Sequence, residues 1–264
     1  MPPSPTLLER TIDELTIDDE RSFRHVALYG DLKDVLVRAR YPFRVLPETL
    51  AGRMDRALLL NLTFWGADAG GDVLDRDVIP ADVVAHAAWH HLAAKALPAP
   101  REGRPSVDAL FLGEAIASAF DVYLVGRLLG HAKNSTFLES QVPAMADAAD
   151  AAGLGEDDFA ALLEGIAGDP ERAFSELREL LFDATSSLFG CAGVDQAVGR
   201  LAAFDRHRFA CLLHRYELSN WVLYARAYGD PEADPRARAI DATLRTEAAP
   251  LDWLTMKWIT PAVR

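Results

Sequence analysis

The sequence is poor in cysteine. Only Cys191 and Cys211 occur among 264 residues. Two thiols make no disulfide framework, so a packed core has to stabilise the chain, and a reducing, cytoplasmic setting is expected. Basic residues are also in deficit: 27 Lys and Arg stand against 40 Asp and Glu, a formal net charge of −13. Displacing counterions from nucleic acid takes clustered Lys and Arg, so no nucleic-acid partner is expected. A stretch of about 18 residues free of charge is missing, as is the basic-then-apolar start of a secretory signal in MPPSPTLLERTIDELTIDDE. The expectation is therefore no transmembrane helix and no membrane partner. A glycine-rich phosphate loop, a G-x-S-x-G elbow and a C-x-x-C pair are absent too. Nucleotide-dependent, serine-hydrolase and dithiol chemistries thus lose their usual footing.

What remains is an ordinary globular composition, long enough to bury a sizeable core in one large domain. Residues 1–20 read as a polar leader and 21–264 as a single domain, mainly α with a small N-terminal β element. The segments VALY (26–29) and VLVRARYPFRVL (35–46) read as short strands. RALLLNLTFWG (56–66) fits a strand or a buried helix, and GADAGGDVLDRDVIP (66–80) reads as a loop from its glycines and aspartates. From Pro80 the signals turn helical. Pro80 opens one helix over 80–97, and Ser106 is placed to cap a second that Gly130 closes, about 34 Å long at the α-helical rise. Further helices are expected at 136–152, 157–167, 170–188, 194–203, 204–228 and 234–247, with a short one near DWLTMKW. Asp169-Pro170-Glu171 is a helix start.

One constellation carries chemistry. His86 and His90 stand four residues apart on the first confident helix, on one face. Two imidazoles at that spacing can converge on one ion at metal–nitrogen distances of about 2.0–2.1 Å. A short Pro-rich loop leads to the next helix, which offers Glu114 as a third ligand, with Ser118 and Asp121 on the same face. Ser118, Asp121 or Asp82 could accept the free imidazole N–H of a ligand. His91 points about 100° away from His90. Trp89 reads as core.

A second stripe, His207, Cys211, His214 and Glu217, would share one face if 204–228 were a single helix. Three ligands along one straight helix are too far apart to meet one ion, so a half-buried polar stripe is the better reading. His25 and His131 are isolated.

HAAWH followed by GEAIASAFD resembles the zincin metallopeptidases, specifically the gluzincin group. The resemblance implies a zincin-like helical metal-binding core with His86, His90 and Glu114 as ligands, over about forty residues. It departs from the group at one decisive position: the general-base Glu after the first histidine is Ala87 here, and a methyl group takes no proton. The Asp expected four residues after the third ligand is Ser118. Two histidines and one carboxylate with open positions also form the facial triad of non-haem Fe(II) oxygenases. The leading expectation is therefore a mononuclear Fe(II) oxidoreductase acting on a small molecule or peptide, with Fe(II) favoured over Zn(II). A 2-oxoglutarate co-substrate would require an arginine near the site, for which Arg127 is a candidate too distant to place. Two alternatives stay open. One is a zinc hydrolase whose base comes from elsewhere, such as His91 or Asp121. The other is a peptidase-derived binding protein without turnover.

Overall fold

A computed structural model describes residues 6–64, 72–99, 103–132 and 134–264. The chain is mainly α, with a small β element drawn from the N-terminal third. Its strands are β1 (Leu8–Arg10), β2 (Thr16–Asp18), β3 (Phe43–Val45), β4 (Val73–Leu74) and β5 (Val78–Pro80). One sheet runs β1-β3-β4, with β1 antiparallel and β4 parallel to β3; β2 and β5 form a separate parallel pair. Residues 8–18 are therefore part of the folded body and not a polar leader. Their backbone finds ladder partners, and Ile12 between the two strands is buried in the core.

The expected strand at 26–29 is also corrected, along with most of the one at 35–46. After α1 (Glu20–Phe23), residues Ala27–Ala39 form α2, and only Phe43–Val45 pairs as a strand. Tyr29, Leu32, Val35 and Leu36 recur at helical spacing and are all buried. That periodic burial outweighs the β propensity of the valines. RALLLNLTFWG resolves as helix α3 (Met54–Phe64); the 66–71 part of the expected loop lies outside the described residues.

Then α4 (Ala81–Ala96), α5 (Val107–Leu128), α6 (Thr136–Ala151), α7 (Glu156–Gly168), α8 (Pro170–Phe189) and α9 (Val194–Ala202) fall within two residues of their expected bounds. The helix expected over 204–228 does not form as one piece. A 3₁₀ stretch, Ala210–Tyr216, is followed by Glu217 in the left-handed region (φ 50°, ψ 40°) and then by α10 (Leu218–Tyr228). The chain ends in α11 (Pro235–Thr246), α12 (Pro250–Leu254), a π-helical turn at Thr255–Ile259 and α13 (Thr260–Ala262).

Helix α5 is the axis of the molecule. It is apolar on every side, and a helix of that kind is stable in water only when surrounded. By length and composition it could cross a membrane, yet 89% of its most apolar window is buried inside the fold. It packs along α4 and α8, with α6, α7, α10 and α11 completing the jacket. Ser106 caps it as expected, its Oγ accepting from the Ala109 N–H at 3.1 Å. The same hydroxyl donates to Asp234 Oδ2 at 3.0 Å, which ties the start of α5 to the start of α11. One continuous core includes residues from Ile12 to Ile259.

Candidate metal centre

Helices α4 and α5 run antiparallel, as their short connection predicts. Ala93 meets Gly113, His90 meets Glu114, and His86 meets Asp121. Trp89 packs edge-on to Phe120 in the core, with ring centroids 5.5 Å apart. The close approach near Gly113 depends on the missing side chain: a Cβ there would sit 3.2 Å from Ala93 Cβ. The pairing sets both histidines of α4 opposite the carboxylates of α5.

The ligand geometry follows from this pairing. His86 Nε2 and His90 Nε2 lie 3.1 Å apart, and His90 Nε2 lies 3.4 Å from Glu114 Oε1. One atom from each of the three residues falls within 4.8 Å of the others. Donors about 2.1 Å from a shared ion stand roughly 3–3.4 Å apart, so these two separations match and the three residues could hold one small divalent metal. On the other side of the His86 ring, Nδ1 faces Asp121 Oδ2 at 3.6 Å. That is an ion-pair distance and not a full hydrogen bond. It favours a proton on Nδ1, while Nε2 faces His90. Ser118 is buried and lines a cavity together with His86, Glu114 and Asp121.

The electrostatics point the same way. Burial alone would lower the His86 pKa, but Asp121, then Glu114 and Asp72, more than offset it and raise it to about 9. His90 is held well below the ordinary histidine range by burial, then by the charge on His86. Burial pushes Glu114 up to about 7, with Asp72 and Asp121 adding to the shift and His86 opposing it. Asp82 is raised to about 6 by burial and then by Asp121. Several carboxylates thus converge on a place that favours a cation, where His86 holds a proton.

Asp72 is the member that the sequence reading missed. Burial raises its pKa and His86 lowers it, so it sits within electrostatic reach of the cluster. Its position is fixed by its neighbour: Asn61 of α3 donates to the Val73 carbonyl at 2.9 Å and accepts from the Val73 N–H at 2.7 Å. The only signal was an Asp at the end of a glycine run, which reads as a turn.

His91 is not brought into the cluster. It stands edge-on to Tyr41, with centroids 5.3 Å apart, and burial followed by Lys95 lowers it to about 4. A base role for His91 finds no geometric footing. Arg127 is likewise elsewhere: its guanidinium lies 5.9 Å from the Tyr123 ring centroid and its carbonyl accepts from or faces His25.

The His207, Cys211, His214 and Glu217 stripe is corrected as a unit. A 3₁₀ stretch has about three residues per turn and the chain turns left-handed at Glu217, so the α-helical register that would align the four is lost. His214 is exposed, and Cys211 Sγ faces the Arg208 carbonyl. Glu217 alone of the four reaches the cavity beside His86 and Glu114, a space of about 340 Å³. That cavity is lined by His86, Glu114 and Asp121 of α4 and α5 and by Arg215, Tyr216 and Tyr224 of the 3₁₀ stretch and α10. Arg215, which lines the cavity, comes from the 3₁₀ stretch that interrupts the helix expected over 204–228.

No family model, curated protein or solved structure matches the chain. The likeness to the gluzincin group thus rests on the short motif at residues 86–121.

Proposed function

We propose that the chain is a mononuclear metal-dependent enzyme, a non-haem Fe(II) oxidoreductase acting on a small molecule or peptide. The observation that carries this reading is the cluster of His86, His90 and Glu114 beside an open cavity, with Ala87 where a peptidase would place its base. His86, His90 and Glu114 would hold the ion, which when bound would supply redox chemistry at its open positions. Asp121 fixes the tautomer of His86. Tyr216 and Tyr224 line the cavity. Arg215 offers a cation for an anionic group, which suits a carboxylate-bearing co-substrate such as 2-oxoglutarate.

The test begins with elemental analysis of protein purified without oxygen. About one divalent transition metal per chain is expected, lost in His86→Ala and His90→Ala and weakened in Glu114→Ala. Wild-type metal content in both histidine variants would refute the site. The iron-loaded protein should give a high-spin iron–nitrosyl signal with nitric oxide by electron paramagnetic resonance. A second reading, a zinc hydrolase, draws support from Glu217, a carboxylate on the cavity wall outside the ligand set. Loss of a general base typically costs about 10²–10⁴-fold, so robust zinc-dependent cleavage of casein would favour that reading. Metal retention with neither the nitrosyl signal nor cleavage would favour a binding protein.

A further inference from the structure

Two cavities of different character flank the triad. The one beside His86 and Glu114 is polar, with the carboxylates of Asp121 and Glu217 and the guanidinium of Arg215, its one permanent cation among the described residues, in its wall. The other lies beside His90, between α4 and α5, and encloses about 310 Å³. Its wall is apolar: Ala94, Leu97, Ala109, Leu110 and Gly113 line it, and His90 is the one titratable imidazole or charged group among its lining residues. Small residues from both helices hollow it out. Tyr224 lines both cavities and so stands at their junction, beside the triad.

Each cavity has the size of a small-ligand subsite, and each favours different chemistry. An apolar wall gains from an apolar guest, which leaves water to enter. In the polar cavity, Arg215 lines the wall and donates through Nη2 to Gln141 Oε1. A guanidinium on a cavity wall fits a carboxylate.

We propose that the substrate of this site is an amphipathic small molecule. Its apolar part occupies the cavity between α4 and α5 beside His90, and its polar or acidic part faces Arg215. The atom that reacts then lies where the two parts join, at His86, His90 and Glu114. This inference rests on the metal reading above.

The test uses the full-length protein loaded with Zn(II) and titrated calorimetrically with hydroxamates, which bind metals through a small polar head. Acetyl, butyryl and hexanoyl hydroxamates probe the apolar side, and succinyl monohydroxamate probes the polar side. Affinity should rise from acetyl to hexanoyl by up to about fourfold per buried methylene. Ala94→Phe, at an exposed helix position that tolerates a larger side chain, should bring the hexanoyl probe down to the acetyl level. Ala109→Leu should do the same from the facing helix. Arg215→Gln should weaken the succinyl probe about tenfold relative to the hexanoyl probe, because it removes a charge-assisted contact. Affinity that ignores chain length, with acetohydroxamate still bound, would overturn the inference and leave the metal reading standing. So would equal losses of both probes in Ala94→Phe and in Arg215→Gln. A wild-type protein that takes up no metal by elemental analysis and binds no hydroxamate would overturn both.

Discussion

His86 is the residue on which the site turns, because it is pulled in two directions. Burial opposes its charge, while Asp121, Glu114 and Asp72 favour it and win, bringing it to about 9. A metal takes only the neutral ring, so binding must expel that proton. Below about pH 7 it must also expel the proton that burial keeps on Glu114. His90 adds no such cost, since it is already neutral. Apparent metal affinity should therefore rise with pH by about tenfold per unit between pH 7 and 9, more steeply below 7, and level off above 9. Competition against a chromophoric chelator at pH 6, 7, 8 and 9 measures this directly. A flat profile would mean that His86 is neutral before the metal arrives.

Among the elements, α5 combines two duties, core axis and ligand carrier, and its glycines mark where it is approached most closely. A Cβ at Gly126 would lie 2.6 Å from the Ile166 carbonyl oxygen and 3.0 Å from Pro170 Cγ. Backbone cannot retreat as a flexible side chain can. Gly126→Ala should then destabilise the fold by about 1–3 kcal/mol, read as a lower urea midpoint, with metal content per folded chain unchanged because Glu114 lies about three turns away. An unchanged midpoint would show that α7 and α8 shift freely against α5. This same helix explains which parts of the molecule were legible in the sequence. Caps and stops at Ser106, Asp169 and Gly130, with i, i+4 spacing at His86 and His90, are local signals, and the structure follows them. Residues 26–29 and 35–39 carry β-branched side chains that favour strands locally, whereas the spacing of Tyr29, Leu32, Val35 and Leu36 shows its helical sense only across the whole of Ala27–Ala39. Asp72, Arg215 and Tyr224 could not be read locally at all. Each reaches the site through tertiary packing: an Asn61 latch on β4, a left-handed residue at Glu217, and the return of α10 over α5.

At the scale of the whole molecule, the polypeptide surrounds the site from distant parts of the sequence, yet all three candidate ligands belong to one helical hairpin, residues 86–114. That has a kinetic consequence. Short loops cost little chain entropy to close, and local contacts form ahead of distant ones. The hairpin could thus gather an ion before β4, the 3₁₀ stretch and α10 arrive to enclose it. Saturating Zn(II) should raise the refolding rate in stopped-flow fluorescence, and not merely slow unfolding, since stabilising an early structure speeds the forward limb. An effect confined to the unfolding limb would place hairpin assembly after the rate-limiting step. If the forward limb responds, the ion serves as a template on which the chain condenses, and the supply of metal during synthesis governs how much protein reaches the native state.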